Sequence, residues 1–136
     1  MSDNFPVTIY HNPACGTSRN TVAMIEASGY RPTVIEYLST GWARALLQNL
    51  ITSMGVSAKD ILREKGTPAA ELGLLEPGVS DARIIDAMVA HPILVNRPIV
   101  VTPKGARLCR PSEAVFALLE RKPQSFTKED GEIVHP

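Results

Sequence analysis

Residues 7–38 read VTIYHNPACGTSRNTVAMIEASGYRPTVIEYL, and their pattern decides the architecture. Val7–His11 is a short run of β-branched and aromatic residues that stops at Asn12-Pro13, which predicts a strand and a turn. Beyond Cys15, GTSRNTVAMIEASG has apolar residues at Val22, Met24 and Ile25 and closes on Gly29. That spacing predicts a helix of about three turns. Thr33–Leu38 predicts a second strand. A strand, a helix and a strand over about thirty residues make a βαβ unit.

Downstream, Trp42–Met54 predicts a helix with Leu46, Leu47, Leu50 and Ile51 on one face. Ser57 suits the N-cap of a short helix carrying Ile61 and Leu62. Gly66–Gly78, broken by Pro68, Gly73 and Pro77, predicts irregular chain with a helical turn. Ser80 suits the cap of a helix over Asp81–Ala90 that stops at His91-Pro92. Ile99–Thr102, opened by Pro98, predicts a buried strand. Pro103-Lys104-Gly105 turns the chain, and Ala106–Cys109 returns as its hairpin partner. A last helix is expected from Pro111 or Ser112 through Leu119, with Ser112 as its cap. The polar tail from Lys122 is expected to be loosely held.

The order is therefore βαβ, a helical insert over about residues 41–92, and ββα. It is similar to the thioredoxin-like arrangement, an α/β fold with a four-stranded mixed sheet and flanking helices. One domain over 1–136 is expected. In that fold a cis proline commonly precedes the third core strand, so Arg97-Pro98 is expected to be cis.

Composition narrows the function. In 136 residues, 14 basic side chains balance 14 acidic ones, which argues against general nucleic-acid or membrane-surface binding. The opening MSDNFPVTIY has no basic stretch and carries Asp3, so no export signal is read. No apolar run is long enough to span a bilayer, and a cytoplasmic protein is expected. Two cysteines, Cys15 and Cys109, are too few for a disulfide scaffold.

Cys15 lies where a strand meets a helix. The first amides of that helix, at Gly16, Thr17, Ser18 and Arg19, have no acceptors within it and favour a thiolate or a bound oxyanion. Gly16 lets the backbone approach a ligand. His11 and Arg19 are close in sequence. Together these features predict a lowered thiol pKa; an inert core cysteine is the alternative, and a turn is a poor place for one. A C-x-x-C pair is ruled out by Ser18, and the arginine of a tyrosine-phosphatase loop by Thr21. An oxyanion at Cys15 would need arginines from elsewhere, and Arg63, Arg97 and Arg110 stand where loops could converge.

YHNPACGTSRNT at 10–21, LR at 62–63, HPILVNRPIVVTPKGARLCRPSE at 91–113 and FTKEDGE at 126–132 closely resemble the glutaredoxin-coupled bacterial arsenate reductases over nearly the whole chain. The resemblance implies that Cys15 is the nucleophile. It implies that Arg63, Arg97 and Arg110 bind the oxyanion and lower the thiolate pKa, beside the Gly16 and Thr17 amides that the helix start already offers to an oxyanion. It makes His11 a modulator of the thiol's ionisation and Ser18 a hydrogen-bond partner of the sulfur, and it makes Cys109 dispensable. His91 is taken as a structural residue ending a helix. Segments 39–50 and 67–80 depart from the family pattern, and the chain ends soon after FTKEDGE.

The implied chemistry converts arsenate to arsenite. The Cys15 thiolate displaces an oxygen from arsenic, glutathione acts as co-substrate, and glutaredoxin resolves the mixed disulfide. No tightly bound cofactor and no metal are expected. Two other functions are compatible with parts of the pattern. One is a redox-sensing regulator that binds RNA polymerase, which would normally use C-x-x-C at this turn. The other is a monothiol glutathione-dependent thiol transferase, which needs a glutathione groove more than three arginines.

Overall fold

The computed structural model describes residues 4–136; Asp3, used above against an export signal, lies outside them. The chain forms two units, one made of the chain up to Glu36 with Arg97–Pro136, the other of Tyr37–Asn96.

In the first unit, strand β1 (Thr8–His11) leads through a turn into helix α1 (Gly16–Ala27), and strand β2 (Thr33–Glu36) follows. The helix ends because Ser28 and then Gly29, at φ +93°, take the chain into the left-handed turn that glycine tolerates. β1 pairs with β2 in parallel, as the βαβ reading requires. On its other side β1 pairs antiparallel with β3 (Ile99–Thr102), which pairs antiparallel with β4 (Gly105–Leu108). The sheet order is β2-β1-β3-β4, the four-stranded mixed sheet expected. Its core is Ile9 and Val100 from the sheet, Val7 just ahead of β1, and Met24 and Ile25 from α1, closed by Val115, Phe116, Leu118 and Leu119.

Several boundaries differ from the expectation: the strand expected from Val7 starts at Thr8, and the helix expected from Trp42 starts at Arg44. β2 stops at Glu36, and Tyr37–Thr40 turns into a short helix, α2. Tyr37 is fully buried and its hydroxyl donates to the Val95 carbonyl at 2.7 Å, a tertiary anchor that outweighs the strand preference of VIEYL. β4 begins one residue earlier than expected, at Gly105. The last helix is 3-10 over Ser112–Leu118 with Pro111, not Ser112, at the cap. Arg97-Pro98 is cis as expected, and Arg110-Pro111 is cis as well.

The tail also departs from expectation. Phe126–Thr127 (β5) and Ile133–Val134 (β6) pair as a small hairpin. Lys128 Nζ bonds Glu113 at 2.8 Å and Glu132 at 3.0 Å. The Arg121 guanidinium lies over the Tyr30 ring and donates to the Gly29 carbonyl. Distant charged partners hold this segment together with Phe126 and Val134, which pack against the core; two isolated apolar residues make no pattern that sequence reading could follow.

In the second unit, α3 (Arg44–Met54) and α4 (Asp81–Ala90) are the main helices. Ser80 caps α4 by accepting the Arg83 N–H, worth about 1 kcal/mol. A 3-10 turn over Ala58–Ile61 follows Ser57, whose N–H and hydroxyl both donate to Asp60. Leu47, Leu50, Ile61, Leu74, Ile84 and Met88 are buried here.

Candidate active site

The sheet brings three loops to one end. Tyr10 pairs with Ile99 and Ile99 with Leu108. The end of β1, the start of β3 and the end of β4 therefore lie side by side. Continuing the β3–β4 register one step sets Cys109 opposite Pro98, and the Cys109 N–H donates to the Pro98 carbonyl at 2.8 Å. One step further sets Arg110 opposite Arg97. Residues separated by up to 95 positions thus gather where Cys15 emerges.

The turn before Cys15 is built from Asn12. Its side-chain oxygen accepts the Ala14 N–H at 2.9 Å, and its carbonyl accepts the Cys15 N–H at 3.0 Å. Cys15 then takes the N-cap position of α1 in extended conformation, and its sulfur faces the helix amides. The residue is 8% exposed. Burial pushes the thiol pKa up. Hydrogen bonds from the Arg97 guanidinium, the Ser18 backbone N–H and the Arg110 guanidinium, with the Arg97 charge, push it down further, from 9.0 to about 7. Arg110 Nη1 lies 3.8 Å from Sγ and donates also to the Arg97 carbonyl at 2.9 Å. Arg97 is 9% exposed, so its charge acts on the sulfur with little water between.

Ser18 is fully buried, and it meets the sulfur differently from the expectation. Its backbone N–H bonds Sγ, while its hydroxyl oxygen accepts the Asn12 N–H at 3.1 Å and lies 2.5 Å from His11 Nδ1. Burial pushes His11 below the ordinary histidine value; the Arg19 charge adds to this and Glu36 opposes it. A neutral ring then accepts the Ser18 hydroxyl proton on Nδ1 and carries its own proton on Nε2. His11 reaches the sulfur's surroundings through Ser18.

Arg19 does not turn to the sulfur. Its guanidinium makes a paired ion bond with Glu129, at 2.9 and 3.0 Å, and donates to the Pro13 carbonyl. Gly16 and Thr17 are half-buried at the start of α1. A Cβ at Gly16 would stand 3.7 Å from Arg19 and 3.9 Å from Glu129, ordinary contacts, so the protein's own packing leaves room there. Arg63 belongs to the second unit, where its guanidinium donates to Asn96 Oδ1 and the Lys65 carbonyl.

Cys109 is fully buried, and burial raises its pKa to about 12. It is an inert thiol, and neither cysteine is in a disulfide. His91 is exposed and stands just past α4. Among the described residues no group of three or more His, Cys, Asp or Glu side chains could hold a metal, and no helix is long and apolar enough to cross a membrane. Sequence reading missed Asn12 and Glu129. The Asn-Pro pair and the acidic FTKEDGE run were their only signals.

The arrangement can hold a thiolate at neutral pH beside donors suited to a tetrahedral anion. A model of the ArsC family matches residues 10–118. The chain is 56% identical over 135 residues to "Arsenate reductase ArsI1" of Synechocystis, covering 98% of this chain and 93% of that one. It is 57% identical over 129 residues to an arsenate reductase of Escherichia coli K12, covering 94% and 92%. A solved arsenate reductase from Vibrio cholerae superposes with a TM-score of 0.80 at 40% identity, covering 85% of this chain and 98% of that one.

Proposed function

This chain belongs to the ArsC family, and from that premise we propose that it is an arsenate reductase in which Cys15 bonds arsenic. One observation carries the reading: a sulfur with a pKa of about 7 receives N–H groups from Arg97, Arg110 and the start of a helix.

An arsenate oxyanion approaching a thiolate meets like-charge repulsion. The Arg97 and Arg110 guanidinium groups offset it, and their forked donors match the oxygens. The amides of Gly16 and Thr17 supply further donors. The sulfur forms a bond to arsenic as one arsenic–oxygen bond breaks and that oxygen leaves, protonated, as hydroxide or water. Two electrons then reduce As(V) to As(III). They come from the thiols of glutathione and glutaredoxin, which depart joined as a mixed disulfide. Water cleaves the sulfur–arsenic bond, releasing arsenite and restoring the thiolate. Ser18 and His11 hold the loop and the helix start in register with the sulfur. The same oxyanion-binding role is extended to Arg63 on resemblance alone. We read Tyr37–Asn96 as an insert within one domain, and the cytoplasm, where such thiols are abundant, as its place of work.

The test is arsenate-dependent turnover with glutathione and glutaredoxin. Cys15→Ser should abolish it, because a serine hydroxyl stays protonated at neutral pH. Turnover by Cys15→Ser equal to the unaltered protein would refute the proposal. Release of glutathione from a glutathionylated protein, without arsenate, would favour the thiol transferase instead.

A further inference from the structure

The Arg19–Glu129 pair lies beside the reactive sulfur and has no part in the chemistry above. Arg19 stands on the first turn of α1, and its guanidinium is held by both oxygens of Glu129. A third bond ties it to the Pro13 carbonyl in the turn before Cys15, at 2.9 Å. Glu129 is fixed in turn, since its N–H donates to Asn20 Oδ1 at 3.0 Å and the neighbouring Lys128 bonds Glu113 and Glu132. Both charges border Gly16, within 4 Å of where its Cβ would stand. Arg19 is the more telling partner, because its charge is felt at both Cys15 and His11. The two side chains are 44% and 49% exposed, so the pair adds little stability. Its effect is on the charge beside the helix start that an anion must approach.

We infer that the Arg19–Glu129 pair is a charge lock at the entrance to Cys15: Glu129, carried by the tail hairpin, neutralises Arg19 and so limits how strongly the site draws anions. The inference rests on Cys15 being the reactive thiolate of the proposed function. It assigns the tail a part in setting anion affinity, and it makes Glu129 a residue that acts through Arg19.

The test compares alkylation of Cys15 by iodoacetate, an anion, and by iodoacetamide, its neutral counterpart. In both the sulfur displaces iodide and forms a carbon–sulfur bond, so the ratio of the two rates reports local potential alone. Cys109, buried with a pKa of about 12, does not compete. Glu129→Gln should raise the iodoacetate-to-iodoacetamide ratio about two- to fivefold at low salt, and Arg19→Gln should lower it by a similar factor. The double variant should return near the starting ratio, and the differences should vanish at about 1 M salt. Lys128→Gln, which loosens the hairpin but leaves the bonds of Glu129 to Arg19 and Asn20 in place, should shift the ratio clearly less than Glu129→Gln. The lock is overturned if Glu129→Gln and Arg19→Gln shift the ratio in the same direction, or if neither shifts it. It is also overturned if Lys128→Gln shifts it as much as Glu129→Gln, since the tail would then act only as a cover. None of these readings requires arsenate, so turnover measured alongside tests the proposed function separately.

Discussion

Arg97→Met should raise the pKa of Cys15 and lower its reactivity at neutral pH without unfolding the sheet. The thiol stands at about 7 against an ordinary 9.0, which is about 3 kcal/mol in favour of the thiolate. That balance is reached against burial. Arg97 opposes burial twice, through a hydrogen bond to the sulfur and through its charge. Methionine keeps much of the buried volume and removes both. The Ser18 amide and Arg110 remain, so the midpoint should move up to about 8 or higher. With a pKa near 7 about half of the sulfur is thiolate at pH 7; at 8 only about a tenth is, so alkylation at pH 7 should slow about fivefold. The sign follows from which form reacts: the rate rises as pH rises through the pKa and levels above it, so a higher pKa moves the whole curve to higher pH. Iodoacetamide rates from about pH 5 to pH 10, with the ultraviolet absorbance of the thiolate as a second probe, give both midpoints. A variant titrating where the unaltered protein does would refute the role given to Arg97 and leave the helix amides and Arg110 as the source of the low value.

Three further outcomes are expected. Ser18→Ala should cost about 1–3 kcal/mol in urea unfolding, because the Asn12 N–H and His11 Nδ1 lose a buried partner. It should leave the thiol titration nearly unmoved, since the bond to sulfur comes from the Ser18 backbone. Cys109→Ala should keep arsenate turnover and cost about 1–2 kcal/mol of stability from a small cavity; loss of turnover would contradict an inert buried thiol. Arg63→Ala should raise KM for arsenate about tenfold, as loss of one charge-assisted bond predicts, and an unchanged KM would remove it from the oxyanion site.

Local signals were the legible ones. The helix after Cys15, the Ser80 cap and the Pro98 strand all follow from hydrogen-bonding groups or apolar spacing within a few residues. Where a distant partner intervened, sequence misled. VIEYL reads as strand throughout, yet Tyr37 leaves the strand for a buried bond to Val95, 58 residues away. The tail reads as loose because its anchors are distant ion pairs such as Arg19–Glu129, 110 residues apart, and the lone apolar contacts of Phe126 and Val134 with the core. Arg19, expected to help the thiolate from nearby in sequence, is turned aside by that pair.

The composition of the site follows the same division. That Cys15 caps a helix, and that arginines flank the later strands, is written in the linear order, because backbone geometry and strand pairing act over short spans. Which arginines reach the sulfur was decided by register. Pairing β1 with β3 and β3 with β4 sets Arg97 and Arg110 at the end where Cys15 emerges. Only then do burial and charge act on the same atom, and a thiol's pKa is a sum of such through-space effects that no one segment contains.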